Sequence, residues 1–170
     1  MMITISLALL VIKIPFPPAP YMVYDAADVP IYISTFAYGP GAGLLVTLVV
    51  CLLQAFLMAG DGIYGFLMHF VATGIVVLVI GAMYKHEKTK SMAIKSLAVG
   101  VILTTFVMCI MNIIVTPMYT GAPREAVLAM IPTIIIPFNL LKSGINSAIT
   151  FIVYKRISGF LHGSTGTVRK

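Results

Sequence analysis

From Pro132 to Tyr154 the chain runs for about 23 residues with one charged side chain, Lys142, and that is the length a helix needs to cross a bilayer. A lysine this far from either end cannot easily snorkel to the interface. Holding it at depth costs roughly 2.5 to 3.5 kcal/mol on insertion scales, so it must face a protein-lined or wet cavity and find a partner there. Asn139 and Asn146 lie three residues before it and four after, on the same face of such a helix. The remaining stripe, Ile135, Ile136, Leu141, Ile145 and Ile149, is free to meet lipid or neighbouring helices.

The whole chain shares this character. It is 60% hydrophobic and 9% charged, where soluble domains carry about 25% charge, so its 170 residues are expected to form a single membrane-embedded domain spanning 1–170. The net charge of +6 does not point to nucleic acid, because the basic residues stand at the ends of apolar runs and not among aromatics. Cys51 and Cys109 sit inside apolar runs with no CxxC spacing, which suits buried thiols better than a disulfide or a metal site.

Six apolar segments follow one another, so the fold class is an all-α integral membrane protein, a six-helix transmembrane bundle. They are Met1 to Ile14, ended by Pro15, Pro17, Pro18 and Pro20; Val29 to Tyr38, closed by Gly39-Pro40-Gly41; Ala42 to Met58; Phe66 to Tyr84, after the turn Ala59-Gly60-Asp61-Gly62; Leu97 to Met118; and Pro132 to Tyr154. The second, about 10 residues long, is too short to span alone and reads equally as an interfacial or half-inserted helix. The first is also short, so it is either distorted or begins upstream of this numbering, and it lacks the basic start and small-residue site of a cleavable signal peptide. Lys85, Lys88, Lys90 and Lys95 around the fourth connection, and Lys155, Arg156, Arg169 and Lys170 after the sixth segment, mark the cytoplasmic side; Asp25, Asp28, Asp61 and the pair Arg124-Glu125 fall opposite. Six passes then leave both termini cytoplasmic.

No Ser/His/Asp set, HExxH, GxSxG or phosphate-binding loop is present, which argues against an enzyme and against ATP hydrolysis by this chain. The histidines are scattered; His69 reads either as a neutral core histidine or as a substrate contact. The spans contain no Asp or Glu, which weighs against a proton-coupled secondary transporter or channel, and a purely structural membrane protein would leave Lys142 unexplained. Polar side chains instead gather near one depth: Asn112 and Thr116, four apart on the fifth segment with Met108 extending the stripe, and Asn139 and Lys142 on the sixth. The asparagines alone serve equally well as interhelical glue. Above them the proline-rich loop from Pro15 to Pro30 carries Phe16, Tyr21, Tyr24, Asp25 and Asp28, with Tyr64 and Phe66 near. Its five prolines are expected to deny it regular hydrogen bonding, and Asp25 and Asp28 to cap the second helix or fix this lid. Aromatic walls, amides and one ammonium suit a planar heteroaromatic ligand with a polar tail.

Specific blocks carry a family likeness. Pro20-Tyr21-Met22-Val23-Tyr24-Asp25-Ala26-Ala27-Asp28-Val29-Pro30, Phe36-Ala37-Tyr38-Gly39-Pro40-Gly41-Ala42-Gly43, Gly60-Asp61 and Pro137-Phe138-Asn139-Leu140-Leu141-Lys142-Ser143-Gly144 together resemble the riboflavin-specific substrate-binding subunits of energy-coupling factor (ECF) vitamin transporters. The resemblance implies a high-affinity riboflavin-binding membrane subunit, not an enzyme and without a resident cofactor. It would sit in the cell membrane, capture vitamin at the outer face, and release it inside with a transmembrane coupling subunit and two cytoplasmic ATPase subunits. The alternatives are a subunit of the same kind for another vitamin or precursor, or a small secondary transporter.

By position, Asn139 and Lys142 match residues of the family that contact the flavin, and Asn112 an asparagine with the same task. The expected binding set is Asn112, Asn139, Lys142, Tyr21, Tyr24, Met58, His69 and Thr116; the expected gate includes Pro17, Pro20, Asp25 and Asp28. The chain departs from the family at Val50-Cys51, where Lys-Asn is common, and at His69, where asparagine is common. Thr4 and Ala8 approximate the small residues, four apart, through which the family's first helix docks its coupling subunit.

Overall fold

The computed structural model describes residues 1–58 and 62–163, and their side chains except those of Pro20, Tyr21, Met58 and 157–163. The turn expected at Ala59 to Gly62 therefore lies largely outside the described residues, as does the tail with Arg169 and Lys170. Six helical rods make up the fold, with a β-hairpin between the first two. Helix α1 is Met2–Leu10; strands β1 (Ile14–Phe16) and β2 (Ala19–Tyr24) follow; α2 is Asp28–Tyr38. Helix α3, Pro40–Leu53, runs on through a π-helical turn, Gln54–Met58; α4 is Gly62–His86 and α5 is Lys90–Thr120. The last rod, α6, joins Arg124–Met130, a second π-helical turn Ile131–Ile135, and Ile136–Gly163.

Length and apolarity make α3 with its π turn, α4, α5 and α6 fit to cross a membrane. Helices α1 and α2, at nine and eleven residues, reach about half the thickness of a hydrocarbon core of about 30 Å. Helix α2 is not an interfacial helix: Val29 through Phe36 are all buried, and it is enclosed by α1, α3, α4 and α6. A helix buried on every face is a core helix, and this one is short because Gly39, with φ of 93°, turns the chain directly into Pro40 at the first position of α3. The alternating rods bring the α2–α3 joint, the basic α4–α5 joint and Lys155-Arg156 to one end, the cytoplasmic one by charge. The hairpin and the α5–α6 joint stand at the other.

The inner half is solid. Ile31, Tyr32, Phe36, Val76, Val77, Ile80, Tyr84, Leu97 and Tyr154 form one buried cluster. Phe36 packs on both Tyr84 and Tyr154 at ring-centroid distances of 4.7 and 5.6 Å, and the two tyrosine hydroxyls hydrogen-bond each other. Backbones approach closely here: a Cβ on Gly81 would come within 2.7 Å of Pro40 Cβ.

One sequence expectation changes. The loop after Pro15 is a regular antiparallel ribbon, Ile14 opposite Tyr24 and Pro15 opposite Val23, with an irregularity between Pro15 and Phe16. In a two-stranded ribbon each strand has one free edge, so prolines are tolerated where a central strand would exclude them. Ile135, in the stripe free to meet lipid or neighbouring helices, is 1% exposed and so meets neighbouring helices. The π turn that ends there admits one extra residue and rotates the face that follows.

Candidate ligand-binding site

Because α1 and α2 stop half-way, the outer half of the bundle encloses a chamber of about 450 Å³, within the 300–1,000 Å³ usual for small-molecule sites. Helix α4 lines it with Met68, His69, Ala72 and Thr73, and α5 with Thr104, Met108, Asn112 and Thr116, a ladder at helical spacing. Phe138, Asn139, Lys142 and Ser143 come from α6, and Gln54 from the π turn of α3. Met22, Val23, Asp25 and Asp28 close it from the hairpin and the start of α2, with Leu10 and Lys13 at the rim. A side chamber of about 120 Å³, walled by Tyr64, Gly65 and Tyr119, shares Met68, His69, Met108 and Thr116 with it.

The hairpin is fastened to α6. Lys142 Nζ donates to Asp25 Oδ2 at 2.7 Å, and the two side chains are only 13% and 11% exposed. One turn further on, Asn146 accepts from the Tyr24 hydroxyl at 2.9 Å and donates its amide to the Asp25 carbonyl at 3.2 Å and to Asp28 Oδ2 at 3.3 Å. Thr73 reaches Asp28 Oδ1 from α4 at 3.4 Å, and Phe16 packs edge-on against Phe138 at 5.4 Å. Asp25 Oδ1 also accepts from Ala27 N at 3.2 Å, closing an Asx turn; it does not cap α2, whose first turn has no side-chain cap.

On the helices the amides are anchored at one end. Asn139 donates to Ile135 O and Asn112 to Met108 O, each at 2.8 Å, and Asn112 Oδ1 accepts from Thr116 at 2.9 Å. Each amide thus has a fixed orientation and retains a further N–H; Asn139 also retains its carbonyl.

Of the residues singled out from sequence, Asn112, Thr116, Asn139, Lys142, His69, Asp25 and Asp28 all line the chamber. Tyr24 stands behind the wall on Asn146, and Pro17 lies at the hairpin turn. The side chains of Tyr21, Pro20 and Met58 lie outside the described residues. Thr4 and Ala8 are exposed on one face of α1, away from the chamber, opposite buried Ser6 and Leu10. Gln54, Thr73, Thr104 and Ser143 were not foreseen. Gln54 carried a usable signal, being the lone amide in an apolar span, as Lys142 is the lone charge in its own. Val50 and Cys51, where the family likeness lapsed, are buried in packing.

Burial works against the charge on Asp25, but the Lys142 ammonium and its hydrogen bond outweigh it and hold the carboxyl below its ordinary value. With the folded pKa depressed, the fastening is fully present above the ordinary aspartate pKa of about 3.9 and is lost as pH falls through the lower folded value. Hydrogen-exchange protection factors of the hairpin amides should therefore hold from neutral pH down to about pH 4 and collapse below it. Collapse already near pH 6 would mean that some other group closes the hairpin.

A half-height core under a roofed polar chamber defines a membrane protein that captures a small molecule from one side. Residues 1–154 match the family model described as ECF transporter, substrate-specific component, and the chain belongs to that family. It is 33% identical over 168 residues to riboflavin transporter RibU of Staphylococcus aureus (strain TCH60), covering 95% of this chain and 88% of that protein. To riboflavin transporter FmnP of Bacillus subtilis (strain 168) it is 28% identical over 177 residues, covering 95% and 90%. A solved structure, described as the S component of a bacterial ECF transporter, superposes with a TM-score of 0.81 at 33% identity, over 95% of this chain and 93% of that one.

Proposed function

We infer that this chain is the riboflavin-binding subunit of an ECF-type importer in the cell membrane, working with a transmembrane coupling subunit and two ATPase subunits. The observation that carries the ligand assignment is the chamber itself: one ammonium set deep in the wall, fixed amides and hydroxyls on three helices, and apolar and aromatic walls. A flavin presents two ring carbonyls, a ring N–H and a polyhydroxyl tail. Lys142 uses one of its three donors on Asp25 and keeps two for carbonyl oxygens; Asn139 and Asn112 keep an N–H each, with Thr116 beside them. Met68, Met108 and Phe138 flank a ring plane, and His69 borders it. The names of the two riboflavin transporters support the same assignment.

The hairpin with Pro17 and Pro20 acts as the gate, and its fastening to α6 brings Asp25, Asn146 and the binding lysine into one unit. The exposed face of α1 with Thr4 and Ala8 is the docking surface for the coupling subunit, since small side chains let a partner helix approach closely. Protein purified in detergent should be yellow and show the absorption bands of a flavin; colourless protein that does not quench added riboflavin fluorescence would sink the assignment. Reconstituted alone in liposomes with ATP inside, it should bind riboflavin but not concentrate it. Concentrative uptake by the lone subunit would instead favour a secondary transporter.

A further inference from the structure

We propose that Asp25 makes the chamber selective for an uncharged, polyhydroxylated flavin over the same flavin bearing a terminal phosphate, by occupying the ammonium of Lys142. The inference rests on the flavin reading above. Two lysines line the chamber; Lys13 is exposed at the rim, and Lys142 sits in the wall, where an incoming anion would be bound most strongly. That second ammonium is taken. Asp25 meets it at 2.7 Å, and the carboxylate is preset by its own Asx turn to Ala27 N, while Asn146 holds its peptide carbonyl.

A second carboxyl group, Asp28, lines the same wall and is held by Asn146 and Thr73. Hydroxyl groups can donate to carboxylate lone pairs that such contacts leave free. A phosphate monoester carries about −1.5 to −2 charges at neutral pH and can only accept. A chamber of about 450 Å³ is roughly 10 Å across, so a phosphate anywhere inside lies within about one Debye length of Asp25. With Lys142 quenched, nothing at that depth repays the phosphate for its lost water; with Lys142 freed, something does.

The test is a pair of titrations, riboflavin and riboflavin 5′-phosphate, read by flavin fluorescence quenching on the intact subunit in detergent. Wild-type protein should prefer riboflavin by about tenfold or more, and Asp25→Asn, which keeps the Asx-turn acceptor, should narrow that ratio by about tenfold. An unchanged ratio in a variant that still binds riboflavin overturns the role of Asp25. Lys142→Gln supplies an independent reading should Asp25→Asn fail to fold: a quenched ammonium loses both ligands by a similar factor. Selective loss of the phosphate ester would show that Lys142 was an anion site all along and would overturn the proposal. Wild-type protein binding neither compound would bring down the flavin reading and this inference together, whereas riboflavin binding with an unaltered ratio removes this inference alone.

Discussion

Lys142→Met should weaken flavin retention on purification and destabilise the protein, because it strips a near-buried carboxylate of its counter-ion as well as removing the proposed ligand contact. Breaking a buried pair by deleting one partner costs roughly 3–5 kcal/mol. With 13% and 11% of the two side chains still exposed, we expect the low end, about 3 kcal/mol of stability, and binding weaker by about ten- to a hundredfold from the lost hydrogen bonds of a charged group. The double variant Asp25→Asn/Lys142→Met distinguishes the two contributions. It should recover most of the thermal stability, since no orphaned charge remains, while binding stays weak for want of the ammonium. If the double variant is no more stable than the single one, the ion pair is not what ties the hairpin to α6.

Gly81→Ala should lower the melting temperature by about 5–10 °C, an effect of roughly 2–3 kcal/mol from a single added methyl group. Its Cβ would stand 2.7 Å from Pro40 Cβ, 2.8 Å from Thr35 Cγ2 and 3.0 Å from Pro40 Cα. A flexible side chain could yield, but Pro40 has a locked ring and follows directly on the left-handed Gly39, so the α2–α3 joint itself must move. Gly41→Ala is the control, because nothing lies within 4 Å of its added Cβ. Equal stability of the two variants would mean that the inner half is looser than its packing suggests.

Much of this was legible in the sequence, and for one reason: the bilayer's thickness sets helix length, so apolar runs announce spans without any tertiary information. Lys142 was legible on the same ground, because a charge at depth demands a cavity. What the run lengths could not reveal was the hairpin. Prolines lower the expectation of a strand, and only the ribbon's free edges make Pro15 acceptable there. The partner of Lys142 was hidden too, since Asp25 lies 117 residues away and nothing local links them. Whether Ile135 would meet lipid or a neighbouring helix could not be read from a helix wheel, which assumes 3.6 residues per turn, because the turn from Ile131 to Ile135 does not obey it.

Helix α2 ends after eleven residues with its polar start, Asp28, under the hairpin and its apolar end against Tyr84 and Tyr154. The molecule is thereby divided into a foundation and a fitting. Most of the main buried cluster sits below Asp28, and the chamber sits at or above it. A change of side chain in the upper storey, at Gln54 for example, alters the lining of the chamber without touching the buried cluster of the foundation. The same foundation can therefore carry chambers for quite different cargoes.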